Sequence, residues 1–242
     1  MSRIGNLIAA WTKSFQDRAK YCTNEKLPFF DIANDYLPIS KSAVIIDIGA
    51  GLGRFAERLD LRNRYPNLYL LDGNQETVRE LAKIYNNVAI YRAPDALPFE
   101  HHSVDFVHCS HMIEHLYHEQ LYEFLFEIDR VLKPDGILIV STPLLWAGFY
   151  NNLSHVKPYH YAVLTKYLCT KKLQRTGKAI SHDYEVMSVT KRYTGDRNEQ
   201  WGSEIMIVDF MLFVLKHVCG TLRIRKYKES GYTIVLRKGR CQ

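Results

Sequence analysis

The stretch "CSHMIEHLYH", residues 109–118, sets His111, Glu114 and His115 in the order H-x-x-E-H. Two imidazoles and a carboxylate at that spacing hold and work a zinc ion when they lie on one continuous helix with a further carboxylate nearby. Earlier in the chain, "DIGAGLGRF", residues 47–55, offers different chemistry. A backbone without Cβ atoms takes positive φ and lets a ligand approach closely. Acids at Asp72 and Asp95, and histidines at His155 and His160 within "SHVKPYHY" (residues 154–161), complete the groups that could bind a ligand or move a proton. Cys22, Cys109, Cys169, Cys219 and Cys241 do not join them, being odd in number, scattered and without C-x-x-C spacing. They predict reduced thiols and a cytoplasmic setting.

From Ala43 onward, short apolar runs alternate with helical patterns. "AVIIDI", "LYLLD", "VAIYR", "VDFVHCS" and "GILIVST" read as strands, and "GRFAERLDLRNRY", "QETVRELAKIYN" and "HEQLYEFLFEIDRVLKPDG" as the helices between them. Strands alternating with helices call for an α/β, Rossmann-like, mostly parallel sheet with helices on both faces, whose ligands bind at the carboxyl ends of the strands. The glycine loop follows the first strand and opens a helix, so it lies at that end. His111 lies at the tip of the fourth strand, which separates it from the helix a zinc peptidase needs, and no metal site is expected.

Two ligand classes compete for the loop. Gly51, Gly53 and Ala56 satisfy the G-x-G-x-x-G/A spacing of a dinucleotide site, with Asp72 nineteen residues beyond Gly53 as the ribose acid. Asp47, Gly49, Gly51 and Gly53 satisfy D-x-G-x-G-x-G without a gap. Over roughly residues 40–145, the latter pattern, with "APDALPF", "MIEHL" and "LKPDGILIVSTP" in order, resembles the class I S-adenosylmethionine-dependent methyltransferases of the type 11 and type 23 group. The resemblance implies S-adenosylmethionine as cofactor and a seven-stranded sheet. It implies that Asp47, Gly49, Ala50, Gly51 and Gly53 cradle the cofactor, with Asp72, Gly73 and Asn74 at the ribose. Asp95, Ala96 and Leu97 would meet the adenine, and Ser110 would border cofactor and substrate. The family's "HVRxFS"-like segment falls on His155, which makes His155 the first candidate for a catalytic base, followed by His160 and His111. Related quinone-type enzymes hold a divalent ion through E-x-x-E-H, but His111 stands where their first Glu would be.

No N/D-P-P-Y follows the fourth strand and no Pro-Cys pair is present, which argues against amino or C5 methylation of a nucleobase. An oxygen of a small-molecule, glycan or lipid-linked acceptor is expected instead, and nucleic acid is not. Two rival readings stand beside this one. An NAD-dependent oxidoreductase would use Gly51, Gly53, Ala56 and Asp72 but leave Asp47 and Asp95 without roles. A non-enzymatic module could bind nucleic acid or membrane through the basic "RIRKYK" and "RKGR".

The 242 residues and net charge of +6 fit one domain with additions. Residues 1–40 read as N-terminal cap helices, 41–145 as the cofactor-binding core, 146–220 as a substrate-side insertion, and 221–242 as C-terminal strands. Ile4, Ile8, Trp11 and Phe15 mark one face of an opening amphipathic helix, and "IMIVDFMLFVLKHV" a strongly apolar one. Both are expected to pack on the core or lid a pocket, with peripheral membrane contact as the other use. No apolar run reaches the length of a spanning helix.

Overall fold

A computed structural model describes residues 3–170, 178–196, 204–221 and 226–239. In chain order the elements are α1 (Arg3–Tyr21), α2 (Leu27–Asn34), β1 (Ile45–Ile48), α3 (Arg54–Arg58), α4 (Leu61–Arg64), β2 (Leu68–Asp72), α5 (Gln75–Ala82) and β3 (Asn87–Ile90). There follow β4 (Val104–Ser110), α6 (His118–Val131), β5 (Leu132–Pro143), α7 (Tyr161–Leu168), β6 (Tyr184–Asp196), α8 (Met206–Thr221) and β7 (Lys226–Lys238). The chain divides into two compact units that cut across the expected segments. One comprises residues 1–24 with 192–230, and the larger comprises residues 25–191 with 231–242.

The seven strands form one sheet in the order β3-β2-β1-β4-β5-β7-β6. Strands β3, β2, β1, β4 and β5 run parallel, and β7 returns antiparallel to β5. This is the α/β, Rossmann-like, mostly parallel sheet that the alternation of elements predicts, with the seven strands that the resemblance implies. The order reverses between β1 and β4, and a reversal opens a crevice at the carboxyl ends of those two strands because their following loops leave in opposite directions.

Both faces of the sheet are covered, and β1 shows why its residues, Asp47 apart, are apolar at successive positions. Ile46 and Ile48 point to one face, where they join Leu121, Phe124, Leu125 and Ile128 of α6 and Leu164 and Leu168 of α7. Ile45 points to the other, with Phe30 and Ala33 of α2, Phe55 and Ala56 of α3, and Leu81 of α5. A strand buried on two sides needs apolar residues at successive positions rather than alternate ones. Phe106 of β4 and Ile139 of β5 extend the second core along neighbouring strands.

Two expected boundaries shift. The helix expected across residues 53–65 is two short helices, broken where Asp60 takes φ 52°. The helix expected to run through "KPDG" ends at Val131, and Lys133–Gly136 lies within β5, with Asp135 at φ 62°. A Pro at 134 cannot donate the backbone hydrogen bond that a continuing helix requires. The basic "RIRKYK" and "RKGR" segments and Cys241 lie partly or wholly outside the described residues, as does most of the expected loop "TGDRNEQWG".

Phe106 is fully buried. Phe106→Ala should lower unfolding free energy by about 3–5 kcal/mol, the usual cost of deleting a core aromatic ring and leaving a cavity. Urea unfolding at constant slope checks this.

Candidate functional site

At the carboxyl end of β1 the chain turns through Gly49, Gly51 and Gly53, all in the left-handed region at φ 73°, 54° and 71°. Non-glycine residues are strained there. The turn is pinned from below, where the amides of Gly49 and Ala50 donate to the Leu71 carbonyl at 2.8 and 3.1 Å. A Cβ on Gly53 would press on Leu81 Cδ2 at 3.0 Å, so that glycine allows α3 to sit close to α5. A Cβ on Gly51 would meet nothing within 4 Å. Gly51 therefore presents bare backbone to open space, which is what a bound ligand needs.

Asp72, the last residue of β2, joins this turn to the next. Its Oδ2 accepts from the Gly51 amide at 2.8 Å and its Oδ1 from the Asn74 amide at 2.9 Å. A carboxylate accepts about four hydrogen bonds, so each oxygen retains capacity toward a ligand. Gly73 sits between, and Asn74 caps α5 by accepting from the amides of Glu76 and Thr77. The site's second turn is thereby fixed by its own side chains.

Asp47 lies within β1, buried, and faces the second core. Directly opposite in register on β4 stands His108. Its Nδ1 meets Asp47 Oδ1 at 2.7 Å, and its ring stacks on Phe55 at 3.6 Å between centroids. Asp47 Oδ2 is buried with no hydrogen-bond partner. Asp47, Gly49, Ala50, Gly51, Phe55, His108 and Ser110 line a cavity of about 200 Å³, with Lys26, Phe30, Leu52 and Arg54 at its other walls. A buried, unpartnered carboxylate oxygen is costly, and a cationic or hydrogen-bond-donating group brought against it would offset that cost. A larger depression of about 440 Å³, lined by Asp31, Asn34, Arg58 and Arg64, lies away from the strand ends beside the Arg58–Asp31 ion pair.

The "APDALPF" segment follows β3. Its Leu97 is buried, while Asp95 and Ala96 are exposed and stand outside the 200 Å³ cavity. The segment is held by α6. Glu127 accepts from the Leu97 amide at 2.9 Å, and Arg130 donates to the carbonyls of Leu97 and Phe99 at 2.9 and 2.7 Å. Glu127 and Arg130 also pair with each other at 2.7 Å. The Arg130 hydrogen bond holds the Glu127 carboxyl below its ordinary value despite partial burial. Tyr91 closes the far side by donating to the Asp95 carbonyl at 2.9 Å.

Beyond β4, His111 takes φ 55° and its amide donates to the Ser141 carbonyl. Its Nδ1 lies 3.3 Å from Glu114 Oε1. Glu114 is fully buried, and its Oε2 accepts from the Thr142 hydroxyl at 3.0 Å. Burial pushes the Glu114 carboxyl up, but the adjacent His111 ring, Glu114's own amide and the Thr142 hydroxyl together hold it below its ordinary value. The Glu114 carbonyl accepts from the amides of Val156 and Lys157, which suspends the "SHVKPYHY" segment from it.

His115 Nδ1 bonds the Ser154 carbonyl at 2.9 Å, and His155 Nδ1 the Phe149 carbonyl at 2.7 Å. A carbonyl only accepts, so both Nδ1 atoms carry protons and each neutral ring keeps its lone pair on Nε2. Glu114, His115 and His155 each bring one ligand atom to within 4.8 Å of the others. Among the described residues this is the one set of that kind. The H-x-x-E-H spacing picks out His111, but the third member here is His155, forty residues beyond His115 in sequence. His160 is the exposed N-cap of α7, its Nδ1 accepting from the Ala162 amide at 3.2 Å.

His108, Glu127 and Arg130 were not legible as site residues. His108 sits inside an apolar run that reads as core, and the one signal is a histidine opposite an acid once the β1–β4 pairing is known.

Residues 46–140 match the family described as "Methyltransferase domain". An uncharacterized methyltransferase of Schizosaccharomyces pombe is 32% identical over 114 residues, covering 47% of this chain and 42% of that protein. Phosphoethanolamine N-methyltransferase 1 of Caenorhabditis elegans is 30% identical over 146 residues, 54% of this chain and 30% of that protein. The chain thus spans less than half the length of these curated relatives. Among solved structures, a SAM dependent methyltransferase from Archaeoglobus fulgidus superposes with a TM-score of 0.57 at 19% identity, over 93% of this chain and 99% of that one. Geranyl diphosphate methyltransferase in complex with SAM gives 0.55 at 11% identity, over 88% and 85%.

The depressed Glu114 carboxyl has a signed consequence. Its ionisation stabilises the fold above the ordinary carboxyl value of 4.5, and that contribution is lost as pH falls through the lower folded value. Glu114→Gln should cost about 1–3 kcal/mol at neutral pH and show a shallower loss of stability below pH 4.5 than wild type. Urea midpoints measured across acid pH test both parts.

Proposed function

We propose that this chain, whose residues 46–140 form the methyltransferase domain of a class I S-adenosylmethionine-dependent methyltransferase, transfers a methyl group to an oxygen of a small-molecule, glycan or lipid-linked acceptor. The observation that carries the reading is the cavity at the β1–β4 reversal, with its buried, unpartnered Asp47 oxygen beside the open backbone of Gly51. S-adenosylmethionine, when bound, supplies a methyl group activated by a sulfonium charge.

The chemistry of the cavity lining and of the turns beside it supports that cofactor. Asp47 Oδ2 suits its ammonium group, Gly49, Ala50 and Gly51 give close approach, and Asp72 has acceptor capacity for ribose hydroxyls. Gly53 and Asn74 shape the two turns, Gly73 joins them, and Asp95, Ala96 and Leu97 are assigned to the adenine edge. Ser110 lines this cavity and is assigned to the border of cofactor and acceptor. A nicotinamide dinucleotide is not favoured, because it gives Asp47 no task and the relatives named above are methyltransferases.

Methyl transfer is an in-line displacement, so the protein chiefly aligns acceptor and methyl and excludes water. An alcohol also has a proton to lose. His155 is assigned that proton because the Phe149 carbonyl holds its Nδ1–H and leaves Nε2 as acceptor. His160 and His111 rank below it, since one caps α7 and the other pairs with Glu114. The nematode relative's name specifies a nitrogen acceptor, and an amine that is already neutral would not need this base.

Titration calorimetry should show S-adenosylmethionine binding and no tighter binding of NAD. Charge-assisted hydrogen bonds contribute about 1.5–3 kcal/mol, so Asp72→Ala should weaken cofactor affinity about tenfold to a hundredfold. Wild-type protein that fails to bind S-adenosylmethionine would defeat the proposal.

His155→Ala should lower turnover by about 10² to 10⁴, the usual worth of a general base, while cofactor affinity stays near wild type. The acceptor comes from screening fractionated extract with isotopically labelled S-adenosylmethionine. Normal turnover by the variant would return His155 to a packing role.

A further inference from the structure

In the unit formed by residues 1–24 and 192–230, helix α8 reads "MIVDFMLFVLKHVCGT", with one acid and one lysine in sixteen residues. A helix apolar on all sides belongs in a core or in lipid. Yet none of the described side chains of α8 is buried, and Met206 is 82% and Phe210 65% exposed. Helix α1 of the same unit repeats the pattern on one face, with Leu7 74% and Trp11 64% exposed and Trp11 stacked on Phe15. Isolated exposed apolar residues are ordinary, whereas contiguous runs of this size mark a surface that something covers.

Length and charge identify the cover. Sixteen helical residues extend about 24 Å, short of the roughly 30 Å hydrocarbon core, and no described helix is long and apolar enough to cross a membrane. Residues 1–24 and 192–230 carry 11 Lys and Arg against 6 Asp and Glu, so this quarter of the chain holds +5 of the total +6. Apolar helices with aromatic side chains in a basic segment match an anionic lipid surface, where apolar groups enter the headgroup boundary and cations meet phosphates.

We propose that this unit docks on anionic phospholipid, with α8 and the Leu7–Trp11–Phe15 stripe of α1 entering the headgroup boundary. Lys13 and Lys20 of α1 and Lys216 of α8 lie among the basic residues that face phosphate. The docking does not depend on the acceptor being lipid-linked.

The full chain is sedimented with vesicles of phosphatidylcholine alone or of equimolar phosphatidylcholine and phosphatidylglycerol. Binding to the anionic vesicles should exceed binding to the neutral ones at least tenfold and weaken with salt. Trp11 emission should shift to the blue on binding, and Trp11→Phe should remove that shift. Replacing Phe210 and Phe213 together by Ser should cut affinity about tenfold or more. If that pair of changes unfolds the chain, Lys13→Glu with Lys20→Glu tests the charge arm on exposed positions, again with about a tenfold loss expected. Failure to sediment with anionic vesicles overturns the proposal. So does unchanged binding by the variants, or light scattering showing a stable dimer that the Phe210/Phe213 changes dissociate while vesicles leave the wild type in solution.

Discussion

A carboxylate buried in the middle of a parallel sheet is the constraint around which the larger unit is arranged. Asp47 stands in β1 between Ile46 and Ile48, and a buried charge left alone is costly enough to prevent folding or force protonation. The sheet meets the constraint through strand order. Placing β4 beside β1 puts His108 in register with Asp47, and the imidazole takes one carboxylate oxygen while its ring rests on Phe55. That adjacency is also the point where the sheet reverses direction and the crevice opens. Pairing one oxygen of Asp47 and setting the residue in the wall of the cavity are consequences of one topological choice.

The same economy governs the surrounding turns. Asp72 ends β2 and reaches across to the Gly51 amide, so the first glycine turn and the second turn are held by one side chain. Glu114 does the corresponding work beyond β4 and β5. Its side chain meets His111 and Thr142, and its carbonyl suspends Val156 and Lys157. Each carboxylate joins loops that leave different strands. The carboxyl ends of β1, β2, β4 and β5 are therefore coupled through acids as well as through the apolar packing of Ile48, Leu71, Cys109 and Val140.

This explains which parts of the molecule could be read in advance. Glycine spacing and the two-sided apolar runs are local signals, and they gave the sheet class and the position of the crevice. Pairing between distant residues is not a local signal. His108 reads as one more strand residue until β4 is known to lie beside β1, and Glu127 with Arg130 reads as an ordinary helix pair until the "APDALPF" segment is seen resting on it. The histidine cluster is only partly a local signal for the same reason. Spacing places His111 beside Glu114, where the structure also has it, whereas the return of the chain after β5 brings His155 to Glu114 and His115, a neighbour that spacing does not show.

Apolar periodicity fails in a different way for α8. A run without polar interruption says that the helix avoids water but does not say what replaces the water. Within a sheet the ambiguity is small, because Ile46 and Ile45 each have a helix layer to meet. For α8 the chain supplies no such layer among its described residues, the apolar side chains remain at the surface, and the sequence of the same unit carries most of the chain's excess positive charge. A core helix gains nothing from basic neighbours, and a helix at an anionic boundary does. The charge distribution, which carries no information about fold, is thus what separates two readings that hydrophobicity leaves equal.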